Sequence, residues 1–376
     1  TTPDSIRRDC SRIWNGCCAW PGRDDALPRT SAKPRDQAQG HGRIYRRLTY
    51  LATILALVVV VLGAYVRLTD AGLGCPDWPG CYGHLTVGAA QANQAQVNAM
   101  YPSQPLEAGK ALNEMVHRYA AGTLGLLVLM LAGIGWWYKR HRAVLSTLVG
   151  LVVFQALLGM WTVTMLLKPL VVTAHLLGGM TVLSMLWWIW LDNRRRRLRE
   201  AGASPLPLST VPIGLRVFAV IGLVLLIVQI FLGGWTSTNY AGLACSGFPT
   251  CNGQWWPNAD YGSVFGLHEV NDLHGPGMIA IQWLHRLGAL LVFVTLVALV
   301  ATVSPVAPRL ALVISVLLML QVGLGIGNVL FDLPLAMADA HNAVAALLLL
   351  SMIALIYHLN HPLTPARGQA AEGVLT

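Results

Sequence analysis

Charge is what this 376-residue chain has least of. Asp, Glu, Lys and Arg make up 11% of it, against 55% hydrophobic residues and a mean hydropathy of +0.55, whereas a soluble domain carries about 25% charged residues. That scarcity excludes a soluble globular protein. A net charge of +9 does not point to nucleic acid either, because the basic residues stand in short tracts beside apolar stretches and not on a polar domain. Residues 1–42 contain no apolar run able to serve as a signal peptide. They read as a cytoplasmic tail without ordered structure, and 361–376 as a second, shorter one. Cys10, Cys17 and Cys18 lie in the first tail without metal-ligand partners at usable spacing, as free thiols of a reducing compartment. The short alternating segments of a membrane β-barrel are missing as well.

What is present is a series of apolar stretches, at about 47–68, 113–137, 143–166, 171–191, 212–235, 278–302, 308–330 and 335–358. Each is long enough as a helix to cross a hydrocarbon core of about 30 Å, and helices satisfy their own backbone there. The fold class is therefore an all-α membrane protein of eight transmembrane helices. Arg43, Arg46 and Arg47 precede the first stretch, Lys139, Arg140 and Arg142 join the second and third, and Arg194 to Arg197 with Arg199 follow the fourth. The positive-inside rule makes all three tracts cytoplasmic. Both termini are then inside and loops 69–112 and 236–277 outside, as in a multi-pass inner-membrane protein.

The two outer loops resemble each other. Gly63 to Cys81, GAYVRLTDAGLGCPDWPGC, matches Gly233 to Cys251, GGWTSTNYAGLACSGFPTC. His117-Arg118 recurs as His285-Arg286, and the series Gln155, Gly159, His175 recurs as Gln321, Gly325, His341. Four landmarks in one order imply a duplication. Each half has an even number of spans, so the halves are parallel repeats. The expected organisation is two pseudo-symmetric four-helix bundles, 43–199 and 200–360.

Of eleven histidines, His117, His175, His285 and His341 lie inside spans and recur as pairs. Ionisable groups at that depth are costly and mark function by default, although a single one is as often a core histidine bonded to a neighbouring helix. All four begin spans that run inward, which puts them near the outer face. Two imidazoles at matching depth on facing helices suit axial ligation of a haem iron. Zinc would want four ligands; copper stays open. Arg118, Arg286 and Arg67 are candidates to pair with haem propionates, or else snorkel to the interface.

The halves part at one position. Glu114 stands three residues before His117, on the same helical face, where the second half has Gln282 before His285. A carboxylate there can relay protons, or simply cap the helix. Cys75 and Cys81, and likewise Cys245 and Cys251, enclose loops on the oxidising side, where disulfides are permitted. Each bridge is either structural or redox-active.

These residues resemble the haem A synthase family over about 45–358. The resemblance is carried by AGLGCPDWPGC, NEMVHR with Glu114 and His117, TAHLLGG with His175, AGLACSGFPTC, WLHR with His285, and DAHN with His341. The two cysteine pairs make it similar to the cysteine-bearing bacterial type, and the 42-residue tail departs from the pattern. The resemblance implies oxidation of the C8 methyl group of haem O to a formyl group by successive hydroxylations. It further implies that His285 and His341 hold a haem b, and that His117 and His175 face the substrate haem with Glu114 essential. Implied partners are haem O synthase, the assembly of haem–copper terminal oxidases, an electron donor the sequence does not name, membrane lipid, and a homo-oligomer as one allowed state. The alternative reading is a diheme b-type electron-transfer cytochrome with two equivalent sites. A transporter is disfavoured because no span carries paired Gly/Pro breaks at its middle.

Overall fold

The computed structural model describes residues 34–266 and 275–364, with side chains from 42 onward. Cys10, Cys17 and Cys18, expected as free thiols, His268 and His274, and most of the C-terminal tail lie outside the described residues. Among those described there are ten α-helices and no β-strand. In chain order they are α1 Pro34–Leu68, α2 Val87–Ala92, α3 Gln94–Met100, α4 Ala108–Trp137, α5 Arg142–Thr164, α6 Pro169–Glu200, α7 Ile213–Thr238, α8 Gly275–Val303, α9 Pro308–Leu330 and α10 Leu335–Asn360. All but α2 and α3 are long and apolar enough to span a membrane, the part of α1 that does so being Gly42–Leu68. The chain is a multi-pass membrane protein.

Part of the segment expected to be an unstructured tail is helical: α1 starts at Pro34, where proline suits a first helical turn that needs no N–H donor. The same device opens other helices. Pro169 and Pro308 stand in the first turns of α6 and α9, and Pro212 and Pro334 immediately precede α7 and α10. The reversals before α6 and α10 match each other. Leu166 and Leu167 (φ 52° and 57°) correspond to Asp332 and Leu333 (both φ 57°), two consecutive left-handed residues in each turn. Leu167 then seats on Gly72 and Leu333 on Gly242, so closely that a Cβ on either glycine would come within 3.2 and 2.8 Å of a leucine methyl.

The described residues from 43 onward form one compact unit. In its first part α5 packs against α4 and α6, and α1 touches α4 through Gly63 and α6 through Val60. In its second part α7, α8, α9 and α10 close a ring, each packing on two of the others. α6 lies against α7 and α10 and joins the parts. α10 is the central helix, with 61% of its apolar window buried against 17–28% for the other spans. Trp187 Nε1 on α6 donates to Leu350 O on α10 at 2.9 Å.

At the end of the helices that carries the basic tracts, a polar knot ties four elements. Asp192 on α6 accepts from His141 Nε2 (2.8 Å), Arg196 Nε (2.7 Å) and the Tyr357 hydroxyl of α10 (3.1 Å), and His141 Nδ1 meets the Tyr45 hydroxyl of α1 at 3.1 Å. A carboxylate with three partners is well compensated for its partial burial. At the opposite end Arg67 bridges the halves. Its Nη2 donates to Ser237 O at 2.6 Å, its guanidinium lies 4.0 Å from the Tyr240 ring centre, and Nη1 meets Asp70 at 3.3 Å. Arg67, also a candidate for a haem propionate, thus clamps the repeats to each other.

Candidate functional site

Each intramembrane histidine stands six to ten residues into its helix, counted from Ala108, Pro169, Gly275 and Leu335. Each faces a glycine on a neighbouring helix. A Cβ would lie 3.0 Å from His117 Cε1 if added at Gly63, 3.5 Å from His175 Cε1 at Gly159, 3.2 Å from His285 Cε1 at Gly233, and 3.0 Å from His341 Cε1 at Gly325. The odd-numbered spans thus supply four glycine seats and the even-numbered spans four imidazoles. At Gly63, Gly233 and Gly325 an added methyl group would crowd the imidazole, whereas at Gly159 it would reach ordinary contact.

His117 and His175 face one another across the first half, with ring centres 6.5 Å apart and planes at 82°. Two imidazoles on opposite sides of one iron, with metal–nitrogen bonds of about 2 Å, require roughly 6 Å between ring centres. Nδ1 of His117, His175 and His341 is buried without a hydrogen-bond partner among the described residues. Buried polar atoms are normally paired, so three unpaired imidazole nitrogens at repeated positions fit residues that take a metal. No group of three or more His, Cys, Asp or Glu able to hold a bare ion occurs among the described residues.

The two halves treat their histidines differently. In the second, Gln229 Nε2 lies 2.9 Å from His285 Nδ1 and 2.9 Å from its carbonyl oxygen, and Gln321 Nε2 lies 3.1 Å from His341 Nε2. Each glutamine stands four residues before a glycine seat, Gly233 or Gly325. In the first half Gln155 occupies that position before Gly159, but its Nε2 is buried and unpaired, while Val59 stands before Gly63. A side-chain amide therefore meets His285 where His117 has the Val59 main chain and an apolar side chain. The sequence repeat begins at Gly63 and Gly233, so the Val59/Gln229 difference fell just outside it.

Above the histidines sit the cysteine loops. Cys75–Cys81 and Cys245–Cys251 form disulfides, and all four cysteines are at most 1% exposed. Glu114 and Gln282 hold them in the same way. Cys75 N donates to Glu114 Oε2 at 2.9 Å, Cys245 N donates to Gln282 Oε1, and Gln282 Nε2 donates to Gly242 O at 2.6 Å. Glu114 is 4% exposed and Gln282 also 4%. Glu114 differs in carrying charge, which is met by Arg118 one turn on. The asymmetry seen in sequence is thus one of charge laid over a shared hydrogen bond, and Glu114 is a loop anchor as well as a carboxylate.

Arg118 and Arg286 anchor the same loops. Arg118 Nη1 donates to Asp77 O (2.9 Å) and to Gly80 O, and Arg286 Nη1 donates to their counterparts Gly247 O (3.0 Å) and Thr250 O (2.9 Å). Arg286 Nη2 adds Cys245 O at 2.8 Å. In this structure Arg118 Nη1 and both Nη atoms of Arg286 donate to loop carbonyls, while Arg118 Nη2 donates to Glu114 Oε1. The first loop also carries α2 and α3, pinned where the Tyr82 hydroxyl donates to Gln104 O (3.1 Å) and Pro105 O (3.2 Å). Burial, with Glu107, Glu114 and Asp77 nearby, raises the Tyr82 pKa above its ordinary value.

The chain can now be set beside known proteins. A family model described as COX15-CtaA, cytochrome oxidase assembly protein, matches residues 46–353. A Shewanella oneidensis protein named heme A synthase is 42% identical over 329 residues, 84% of this chain and 96% of the relative. Proteins of the same name from Methylobacterium radiotolerans and Rhizorhabdus wittichii are 30% and 26% identical over 325 and 340 residues. They cover 79% and 83% of this chain and 85% and 93% of those relatives. All four intramembrane histidines, both cysteine loops and Glu114 fall within the matched span, and the chain belongs to the COX15-CtaA family of cytochrome oxidase assembly proteins.

Proposed function

We propose that this protein converts haem O to haem A, oxidising the C8 methyl group to a formyl group through successive hydroxylations. Similarity to heme A synthases over most of the chain carries the activity. The unequal surroundings of the two histidine pairs support a division of labour between the halves, and weigh against a diheme electron carrier with equivalent sites.

In this reading the halves are pseudo-symmetric four-helix bundles. His285 and His341, each beside a glutamine, hold a resident haem b. That haem, when bound, supplies electron transfer. His117 and His175 receive haem O as substrate, in a half where His117 has no orienting amide and the substrate can enter and leave. Glu114 carries the charge or proton that the chemistry needs and Gln282 cannot offer. Arg118 and Arg286 act through the loops they anchor. The buried disulfides are structural bridges that fix those loops over the bundle mouths. The protein sits in the bacterial inner membrane with the cysteine loops on the outer face and both termini in the cytoplasm, and its product serves assembly of terminal oxidases.

Glu114→Gln tests the assignment cleanly, because Gln282 already shows that an amide keeps the bond to the loop. The variant should fold, retain haem in the second half and lose conversion of haem O. Conversion at the normal rate would remove Glu114 from the chemistry.

A further inference from the structure

A hollow lies at the end of the helices away from the histidines. It measures about 470 Å³ and is lined by Arg46, Arg47 and Tyr50 of α1 and by Trp190, Arg194 and Arg197 of α6, among others. Four guanidiniums from helices nearly 150 residues apart in sequence converge on it. None of the four makes an ion pair with an acidic side chain among the described residues, whereas their neighbour Arg196 is bound to Asp192 at 2.7 Å. A topology signal needs positive charge only on one side of the membrane. It does not need four cations gathered into one concavity, where they repel each other unless an anion joins them.

The rest of the hollow describes that anion. Arg194 lies 5.7 Å from the Trp190 ring centre and Trp190 stacks on Trp187 with centres 4.6 Å apart, an aromatic wall of the kind that sits at headgroup level. From its α1 side an apolar strip continues at helical spacing along the span through Leu51, Ile54 and Val58, which are 54%, 45% and 44% exposed. A free phosphate would use the arginines and leave the strip idle. A molecule with an anionic head and hydrocarbon tails uses both.

We propose that this hollow is a binding site for an anionic phospholipid, its phosphodiester held by Arg46, Arg47, Arg194 and Arg197 and its acyl chains lying along α1. Basic pockets at the cytoplasmic ends of spans suit such headgroups, and guanidinium–phosphate pairs are bidentate and strong.

The test uses the full-length protein in a zwitterionic detergent, with native mass spectrometry counting bound phosphatidylglycerol or phosphatidylcholine. Wild type should retain one phosphatidylglycerol at least tenfold more tightly than phosphatidylcholine, and excess inorganic phosphate should not displace it. Arg194→Gln with Arg197→Gln should erase the tenfold preference, Arg194→Lys with Arg197→Lys should keep most of it, and Arg309→Gln, outside the hollow, should leave it unchanged. Thermal unfolding in phosphatidylcholine alone checks that the glutamine variant is folded. A preference that survives in the folded glutamine variant, equal loss in Arg309→Gln, or displacement by inorganic phosphate would each overturn the assignment.

Discussion

Replacing Gln229 with valine makes the second half copy the first at the one position where their histidine surroundings differ most. The change removes the 2.9 Å contacts to His285 Nδ1 and to its carbonyl oxygen. Leaving a buried partner unsatisfied costs about 1–3 kcal/mol. Loss of an outer partner that orients a metal-bound histidine typically weakens metal binding about 10- to 100-fold, which at about 1.4 kcal/mol per tenfold is the same range. Valine already fills the equivalent space at position 59, so the variant should fold. Purified protein mixed with excess apomyoglobin should lose its haem about 10–100 times faster than wild type, read from the shift in the Soret band. The reciprocal Val59→Gln should slow haem exchange in the first half. A Gln229→Val protein that holds its haem as long as wild type would refute the link between this amide and residence of the cofactor.

Gly325→Val places a branched side chain where even a Cβ would lie 3.0 Å from His341 Cε1. It should abolish the low-spin absorption of the second half, while Gly150→Val, where a Cβ meets nothing within 4 Å, should preserve it. The disulfides, buried to within 1% of full coverage, should resist reduction and maleimide labelling in native membranes and yield only after denaturation. Rapid labelling of the folded protein would favour thiol exchange as their role.

Hydropathy located all eight spans because the bilayer imposes length and apolarity on each. It set their ends less well. α6 runs through its arginine tract to Glu200 and α1 reaches back to Pro34, since helices continue past the hydrocarbon where polar residues are good helix formers. The short helices α2 and α3 inside the first outer loop left no apolar signature. The histidines were legible because repetition marked them. Their glycine seats were also present in the repeat, at Gly63, Gly159, Gly233 and Gly325, but packing alone gives them meaning. Gln229 was hidden because its counterpart is Val59, and a comparison that seeks identity passes over the place where function diverges. The bonds of Arg118 and Arg286 to loop carbonyls left no mark in the sequence, and Glu114 stood out for its charge while its hydrogen bond to Cys75 N could come only from the folded loop.

The most direct test of the whole account is expression in a host that makes haem O and lacks any other enzyme acting on it, followed by extraction and mass analysis of the porphyrins. Haem A, or its hydroxylated precursor, should accumulate with the intact chain and disappear with Glu114→Gln. Haem O recovered unchanged, from cells whose membranes contain the folded, haem-loaded protein, would contradict the assignment and leave an electron carrier in its place.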